Sequence, residues 1–393
     1  MSAIPYSCQN ITDEDIAAVV AALRSEYLTQ GSAGPAFEDA FAARHQVAHA
    51  VAVCNATAAL HIACLALGVS TGSRVWTSPN SFLASANCAL YCGATIDFVD
   101  IDPSTRNMSV AALRSKLELA ERNATLPHVV IPVDFSGFPC DLRGIRELAD
   151  RYNFFVLEDA SHATGASYLC RPVGSALADA TVFSFHAVKI VTTGEGGMVT
   201  TNDAELARRL RLLRSHGMTR DEGELERPAE GGWYYEQQQL GYNLRLTDMQ
   251  AALGLSQLKR LDAMHARRVA LAERYDALLA ELPLVLPPRL ADRESAWHLY
   301  VVELEDQGHL AGRRNEVFRG LRAAGIGVNV HYIPIHTQPF YARLGFRAGD
   351  FPAAERYYGR AISLPLFPAM TEVQQTRVVD TLCGLLQKTV NRS

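Results

Sequence analysis

Short runs of β-branched and aromatic residues alternate with helix-patterned stretches along most of the chain, and this alternation constrains the fold more than any other feature of the sequence. Ala48–Val53, Arg74–Ser78, Thr95–Val99, Pro127–Val133, Phe154–Leu157, Thr181–Phe185 and Gly197–Thr201 read as strands. Around and between them lie helical stretches, of which Ile11–Ser25 and Asn55–Leu67 are the clearest. Thr12 is placed to cap the first of these, with Asp13, Glu14 and Asp15 favourably sited in its opening turn. Strands separated by helices pair into a mostly parallel sheet covered on its faces, so an α/β fold with a seven-stranded, mostly parallel sheet is predicted. From Thr247 to about Leu282 the pattern is helical, with Leu253, Leu255, Leu258, Leu261 and Met264 apolar. The domain boundary is expected in this stretch, giving a large domain over 1–250 and a small α+β C-terminal domain over 251–393, with strands at Ala296–Val302 and Ile326–His331. Arg220–Trp233, rich in Glu, Gly and charge, reads as a surface loop.

Composition narrows the function classes. A chain of 393 residues that is 48% hydrophobic can bury a large core. Its net charge is -5 and it has no basic run with interleaved aromatics, so no nucleic acid partner and no anionic membrane is expected. The first residues, Met1–Tyr6, lack the charged and apolar regions of a secretory signal. The apolar stretch from Val47 to Val69 is interrupted by His49, Asn55, Thr57 and His61, where a bilayer would penalise them. The eight cysteines include no CxxC pair and no zinc-like spacing, so reduced thiols, a cytoplasmic location and no metal site are expected.

Two of the predicted strands end in complementary groups. Phe154-Phe-Val-Leu-Glu-Asp-Ala-Ser-His162 places Asp159, and Thr181-Val-Phe-Ser-Phe-His-Ala-Val-Lys189 places Lys189, at the strand ends where α/β sheets carry ligands. A fixed carboxylate and an amine there suit pyridoxal 5'-phosphate (PLP). Asp159 would keep the pyridine nitrogen protonated so that the ring serves as an electron sink, while Lys189 would form the Schiff base and later shuttle a proton. Asn55–Ala58 would supply a helix N-terminus with free backbone N–H groups, a natural phosphate site, to which Thr57 and Ser184 could add hydroxyls. Each residue alone has a plainer reading: an Asp after a strand commonly caps a turn, a Lys is commonly solvated, and Asn55 could simply cap its helix. The spacing of the Asp159 and Lys189 segments, followed by Gly194-Glu-Gly-Gly197, favours the functional reading.

Across nearly its whole length the chain also resembles the fold-type I PLP enzymes that aminate nucleotide-linked keto sugars, the DegT/DnrJ/EryC1/StrS aminotransferases. The matching motifs, in order, are Leu28-Thr-Gln-Gly31, Asn55-Ala-Thr57, Ser78-Pro-Asn-Ser-Phe82, Glu158-Asp-Ala-Ser-His162, Ser184-Phe-His-Ala-Val-Lys189, Gly194-Glu-Gly-Gly197, Arg214-Ser-His-Gly217, Gly241-Tyr-Asn-Leu-Arg245 and His331-Tyr-Ile-Pro-Ile-His336. The resemblance implies an aspartate aminotransferase-like fold with Lys189 as the cofactor-bonding lysine and Asp159 as its pyridinium partner. It further implies Phe82 stacked near the ring, His162 at the phenolic oxygen or its neighbourhood, and Thr57, Ala58 and Ser184 at the phosphate. Asn243 resembles the family asparagine that reaches a phosphate across the dimer interface, which implies a homodimer with shared active sites. Tyr6, His186, His298 and His331 are the substrate-side candidates; His186 could equally support the lysine loop.

Within the family the chain most resembles the branch that makes a 4-amino-4,6-dideoxy sugar on the way to pseudaminic acid. This likeness lies in Phe183–Lys189 with its His186, in Val133-Asp-Phe-Ser-Gly137, in Arg214-Ser-His-Gly-Met218 and in Tyr6. The implied reaction takes an amino group from L-glutamate, holds it as pyridoxamine phosphate, and delivers it to C4 of a UDP-linked 4-keto-6-deoxy-N-acetyl hexosamine. Other nucleotide-linked keto sugars, of the perosamine, bacillosamine or 3-amino type, remain open, as does a non-catalytic regulatory protein of the same fold. Lys189 speaks against the dehydrating branch that carries histidine in its place.

Overall fold

Seven short strands with few exposed residues form the central sheet: β1 (His49–Val53), β2 (Arg74–Thr77), β3 (Thr95–Phe98), β4 (Val129–Ile131), β5 (Phe155–Asp159), β6 (Ala180–Ser184) and β7 (Gly197–Thr201). The structure, a computed structural model, describes residues 3–175, 177–305, 310 and 312–388. Successive strand residues enter opposite cores. Val51, Val53, Val75, Val129, Ile131, Leu157 and Val182 pack on one side, while Ala50, Ala52 and Phe183 and Trp76, Val130 and Val156 pack on the other. Burial on both faces is why these strands read as continuous apolar runs. Each fully buried Val, Leu or Ile contributes roughly 1.5–3 kcal/mol.

The spatial order is β1-β7-β6-β5-β4-β2-β3. β7 is antiparallel to both of its neighbours, and every other pairing is parallel. The first four helices are α1 (Asp13–Leu23), α2 (Ala33–His45), α3 (Ala56–Ala66) and α4 (Ala84–Tyr91), of which α3 and α4 line the site. In the first, the Thr12 N–H donates to the Asp15 carboxylate at 3.0 Å, half of the capping box that the sequence suggests. Among the described residues no helix is long and apolar enough to cross a membrane.

A second core gathers Leu271, Tyr275, Tyr300, Val302, Ile362, Leu364, Val378 and Leu382. It is built on an antiparallel sheet of Leu284–Val285, Tyr300–Leu304 and Ala361–Leu364, with helices Leu261–Leu279, Arg314–Ala323 and Glu372–Lys388. Ile4, near the N-terminus, packs into this same core.

Three sequence expectations need correction. The long helical stretch is two helices, Asp248–Leu258 and Leu261–Leu279. The strand expected at Ala296 starts only at Tyr300, because Trp297 has a left-handed backbone with φ 53. Ile326–His331 is not a strand: Ile326 bridges to Ile4 and Asn329 to Ser363. The segment changes partner within three residues, so no ladder can propagate, and at Gly327 a Cβ would meet the Tyr6 nitrogen at 2.7 Å. This crossing brings Tyr6 and His331 together, with ring centroids 5.9 Å apart.

Candidate active site

The carboxyl ends of β5 and β6 and the N-terminus of α3 converge on a cavity of about 650 Å³. β5 delivers Asp159, which is 4% exposed and held from both sides. One carboxylate oxygen accepts from the Ser85 hydroxyl at 2.6 Å, and the other from the Ser161 N–H at 3.1 Å and its hydroxyl at 2.6 Å. Ser85 is itself in contact with the Ser81 hydroxyl at 2.7 Å. Three donors on a buried carboxylate fix its direction.

Lys189 sits in the loop between β6 and β7, its backbone N–H donating to the His186 carbonyl at 2.9 Å. Burial lowers its ammonium from 10.5 to about 8, and the Asp159 charge pulls the other way. An amine in that range releases and takes up protons near neutrality, as a proton shuttle must.

At the start of α3, Asn55 Oδ1 accepts from the Ala58 N–H at 2.8 Å. This corrects the expectation of free donors through Ala58. The capping side chain consumes that N–H, and the first-turn groups left over are those of Ala56 and Thr57. β7 passes very close by: a Cβ on Gly197 would lie 2.7 Å from the carbonyl carbon and oxygen of Asn55 and 2.8 Å from the Ala56 nitrogen. Glycine lets the strand touch the helix end.

The rest of the wall is aromatic and imidazole. His162 Nε2 meets the Tyr332 hydroxyl at 3.1 Å, and its ring lies 4.4 Å from that of His298. Burial, reinforced for each ring by neighbouring positive groups, holds both well below the ordinary histidine range, so both are neutral. Burial also lowers His331, to about 4. Its Nδ1 meets Ser363 Oγ at 2.7 Å and its Nε2 meets Asn329 Nδ2 at 3.3 Å, which leaves ring surface rather than a free nitrogen for a ligand. His186 is exposed, its Nε2 3.9 Å from Glu195 Oε1. Phe82 is 59% exposed at the mouth, 6.3 Å from the Tyr332 ring.

Of the residues singled out in the sequence, the cavity gathers Tyr6, Thr57, Phe82, Asp159, His162, Ser184, His186, Lys189, His298 and His331. Ala58 lies behind the wall, and Asn243, paired with Ser215, is exposed elsewhere on the chain. Sequence reasoning missed Ser85, Ser161, Tyr332 and Asn329. Ser161, two residues after an Asp at a strand end, carried a turn signal that could have found it; nothing in the sequence sets Ser85 apart from other helix serines. Among the described residues no group of His, Cys, Asp and Glu could hold a metal ion.

Comparison with known proteins agrees with this geometry. A family model described as the DegT/DnrJ/EryC1/StrS aminotransferase family matches residues 9–383. The chain is 42% identical over 387 residues to the spore coat polysaccharide biosynthesis protein SpsC of Bacillus subtilis, covering 98% of this chain and 97% of that protein. Helicobacter pylori PseC, an aminotransferase involved in the biosynthesis of pseudoaminic acid, superposes with a TM-score of 0.90 at 30% identity, over 98% of this chain and 100% of PseC. Spr1654 of Streptococcus pneumoniae in its PLP form gives 0.88 at 30% identity over 98% of this chain and 99% of that one.

Proposed function

The chain belongs to the DegT/DnrJ/EryC1/StrS aminotransferase family, and from that premise we propose that it moves an amino group from L-glutamate to C4 of a UDP-linked 4-keto-6-deoxy-N-acetyl hexosamine. PLP-dependent sugar amination comes with membership of the family; the particular sugar and donor are the proposal. The observation that carries the catalytic reading is the pairing, in one cavity, of an amine lowered to about 8 with a carboxylate held by three donors.

The residues present fit the cofactor. When bound, PLP supplies an electron sink for breaking a C–H bond beside nitrogen. In this assignment Asp159 holds the ring-nitrogen proton, its direction set by Ser85 and Ser161. The α3 N-terminus, through the Ala56 and Thr57 N–H groups, would bind the phosphate together with the Thr57 and Ser184 hydroxyls; Ala58, whose N–H Asn55 takes, would not. Phe82, at the mouth, would cover the cofactor ring and exclude water, and His162, oriented by Tyr332, would be available to the ring's oxygen. Lys189 takes a proton from the donor carbon and returns one to sugar C4, from the single face on which its loop stands. Tyr6, His186, His298 and His331 form the side of the cavity available to the substrates.

The choice of sugar is supported by the likeness to PseC over 98% of the chain. Another nucleotide-linked keto sugar is the second reading, favoured by the higher identity to SpsC, 42% against 30%. A homodimer with shared sites is supported by Asn243, which is exposed and does not line its own chain's cavity, and so is open to the phosphate of a neighbouring copy. A cytoplasmic location accords with the free cysteines.

The test is incubation of PLP-loaded protein with L-glutamate and a panel of UDP- and dTDP-linked 4-keto-6-deoxy hexoses, followed by mass spectrometry and NMR of the product. Amination of the UDP-linked N-acetyl sugar alone is expected. Preference for another sugar replaces the substrate, and no amination despite bound PLP removes the catalytic reading.

A further inference from the structure

Behind Asp159, on the opposite face of β5, two further carboxyls are sealed in the sheet. Asp134 and Glu158 both have 0% exposure. Asp134 follows β4, and its N–H donates to the Asp159 carbonyl at 3.0 Å. One Asp134 oxygen accepts from the Cys140 N–H at 2.8 Å, and one Glu158 oxygen from the Thr181 hydroxyl of β6 at 2.7 Å. The remaining oxygens, Asp134 Oδ2 and Glu158 Oε1, have no donor, and the Val133–Asp159 bridge sets the two carboxyls on adjoining segments, both on the face turned away from Asp159. Two buried anions, each with an unsatisfied oxygen, would be very costly. One proton between the two orphaned oxygens satisfies both.

Resting on the assignment of Asp159 as the cofactor's charge partner, we propose that Glu158 and Asp134 share a single buried proton that makes them the positioning pair for Asp159. Glu158 carries the proton, donates it to Asp134 and accepts from Thr181, so its carboxyl ties the end of β4 to β5 and β6. β5 bears Asp159 and β6 bears Ser184, so the tie fixes the spacing between ring-nitrogen and phosphate ends of the site. The proton also halves the pair's charge. A second anion there would stand behind the Asp159 carboxylate with nothing to offset the repulsion.

Several titratable groups face the pair. Asp159 and the Cys140 thiol adjoin it, and Arg143, Tyr168 and Arg171 share with Glu158 a cavity of about 290 Å³ on the far side. Arg293 is a further cation, acting on Cys140 and Tyr168. Burial raises both Asp134 and Glu158 above the ordinary carboxyl range, as a pair that keeps one proton requires.

The test uses purified PLP-loaded protein and the variants Glu158→Gln and Glu158→Leu. Infrared spectra at pH 8 should show a protonated-carboxyl C=O stretch in the wild type that Glu158→Gln lacks. The side-chain amide that Glu158→Gln introduces can still donate to Asp134 and accept from Thr181, so PLP affinity should stay within about threefold, whereas Glu158→Leu, which strands Asp134, should weaken it by about tenfold or more. No carboxyl band in the wild type, or a band that survives in Glu158→Gln, overturns the shared proton. Unchanged affinity in Glu158→Leu overturns the positioning role. Should the leucine variant fail to fold, the infrared comparison still decides. PLP binding by the wild type separately tests the assignment of Asp159, so a wild type that binds no PLP fails on that ground, not on the proton.

Discussion

Replacing Gly197 with alanine should damage cofactor binding more than folding. The new Cβ would stand 2.7 Å from the Asn55 carbonyl carbon and oxygen and 2.8 Å from the Ala56 nitrogen, about 1 Å short of the ~3.5–4.0 Å at which such atoms settle. All three neighbours are backbone, so no rotamer change relieves the contact. β7 is buried and paired on both edges, so the yielding partner is the start of α3. Overpacking of this kind costs about 1–3 kcal/mol of stability. Moving the helix start by the same ångström takes at least one N–H out of range of a bound phosphate. A lost hydrogen bond to a charged group is worth roughly 1.5–3 kcal/mol, or tenfold to 150-fold in dissociation constant. The assay is titration of apo-protein with PLP, alongside thermal unfolding of the same apo-protein. Unchanged affinity would show that the α3 N-terminus is not the phosphate site.

Lys189→Ala should abolish amino transfer while leaving the circular dichroism spectrum intact; near-wild-type turnover would reject the lysine. In apo-protein, Lys189→Met should be more stable than wild type at pH 7. The unfolded chain binds the lysine proton more tightly between about 8 and 10.5, so wild-type stability rises with pH through that window and the gap should close; a gap constant with pH would contradict the lowered ammonium. Ser85→Ala removes the hydroxyl 2.6 Å from Asp159 and should weaken PLP retention by about 1.5–3 kcal/mol, measured by equilibrium dialysis. Mixed subunits of Lys189→Ala and Asn243→Ala should regain activity that neither has alone, and a mixture no more active than its parts would argue against sites shared between copies.

The sheet was legible because its signal is local. Val129–Ile131 and Ala180–Ser184 are buried on both faces, and no other structure suits such short apolar runs. The cavity residues were legible where they stand at strand ends, as Asp159 and Ser184 do. What escaped were contacts made at long range. Ser85 reaches Asp159 from 74 positions away and Tyr332 reaches His162 from 170, and no periodicity encodes such pairs. The Ile326–His331 segment looked like a strand because its composition suits one, but it makes one isolated bridge to Ile4 and another to Ser363.

The reversed direction of β7 has a mechanical consequence. Because Ser184 and Gly197 face each other across the β6–β7 ladder, the residues between them form an arch with both feet on the same rim, and Lys189 stands on its span. Motion of the amine between donor and acceptor carbons can therefore come from side-chain torsions while the span stays put. An insertion or deletion between these feet has nowhere to go but into the span. Elsewhere on the surface a change in loop length is absorbed harmlessly; here it would re-aim the amine.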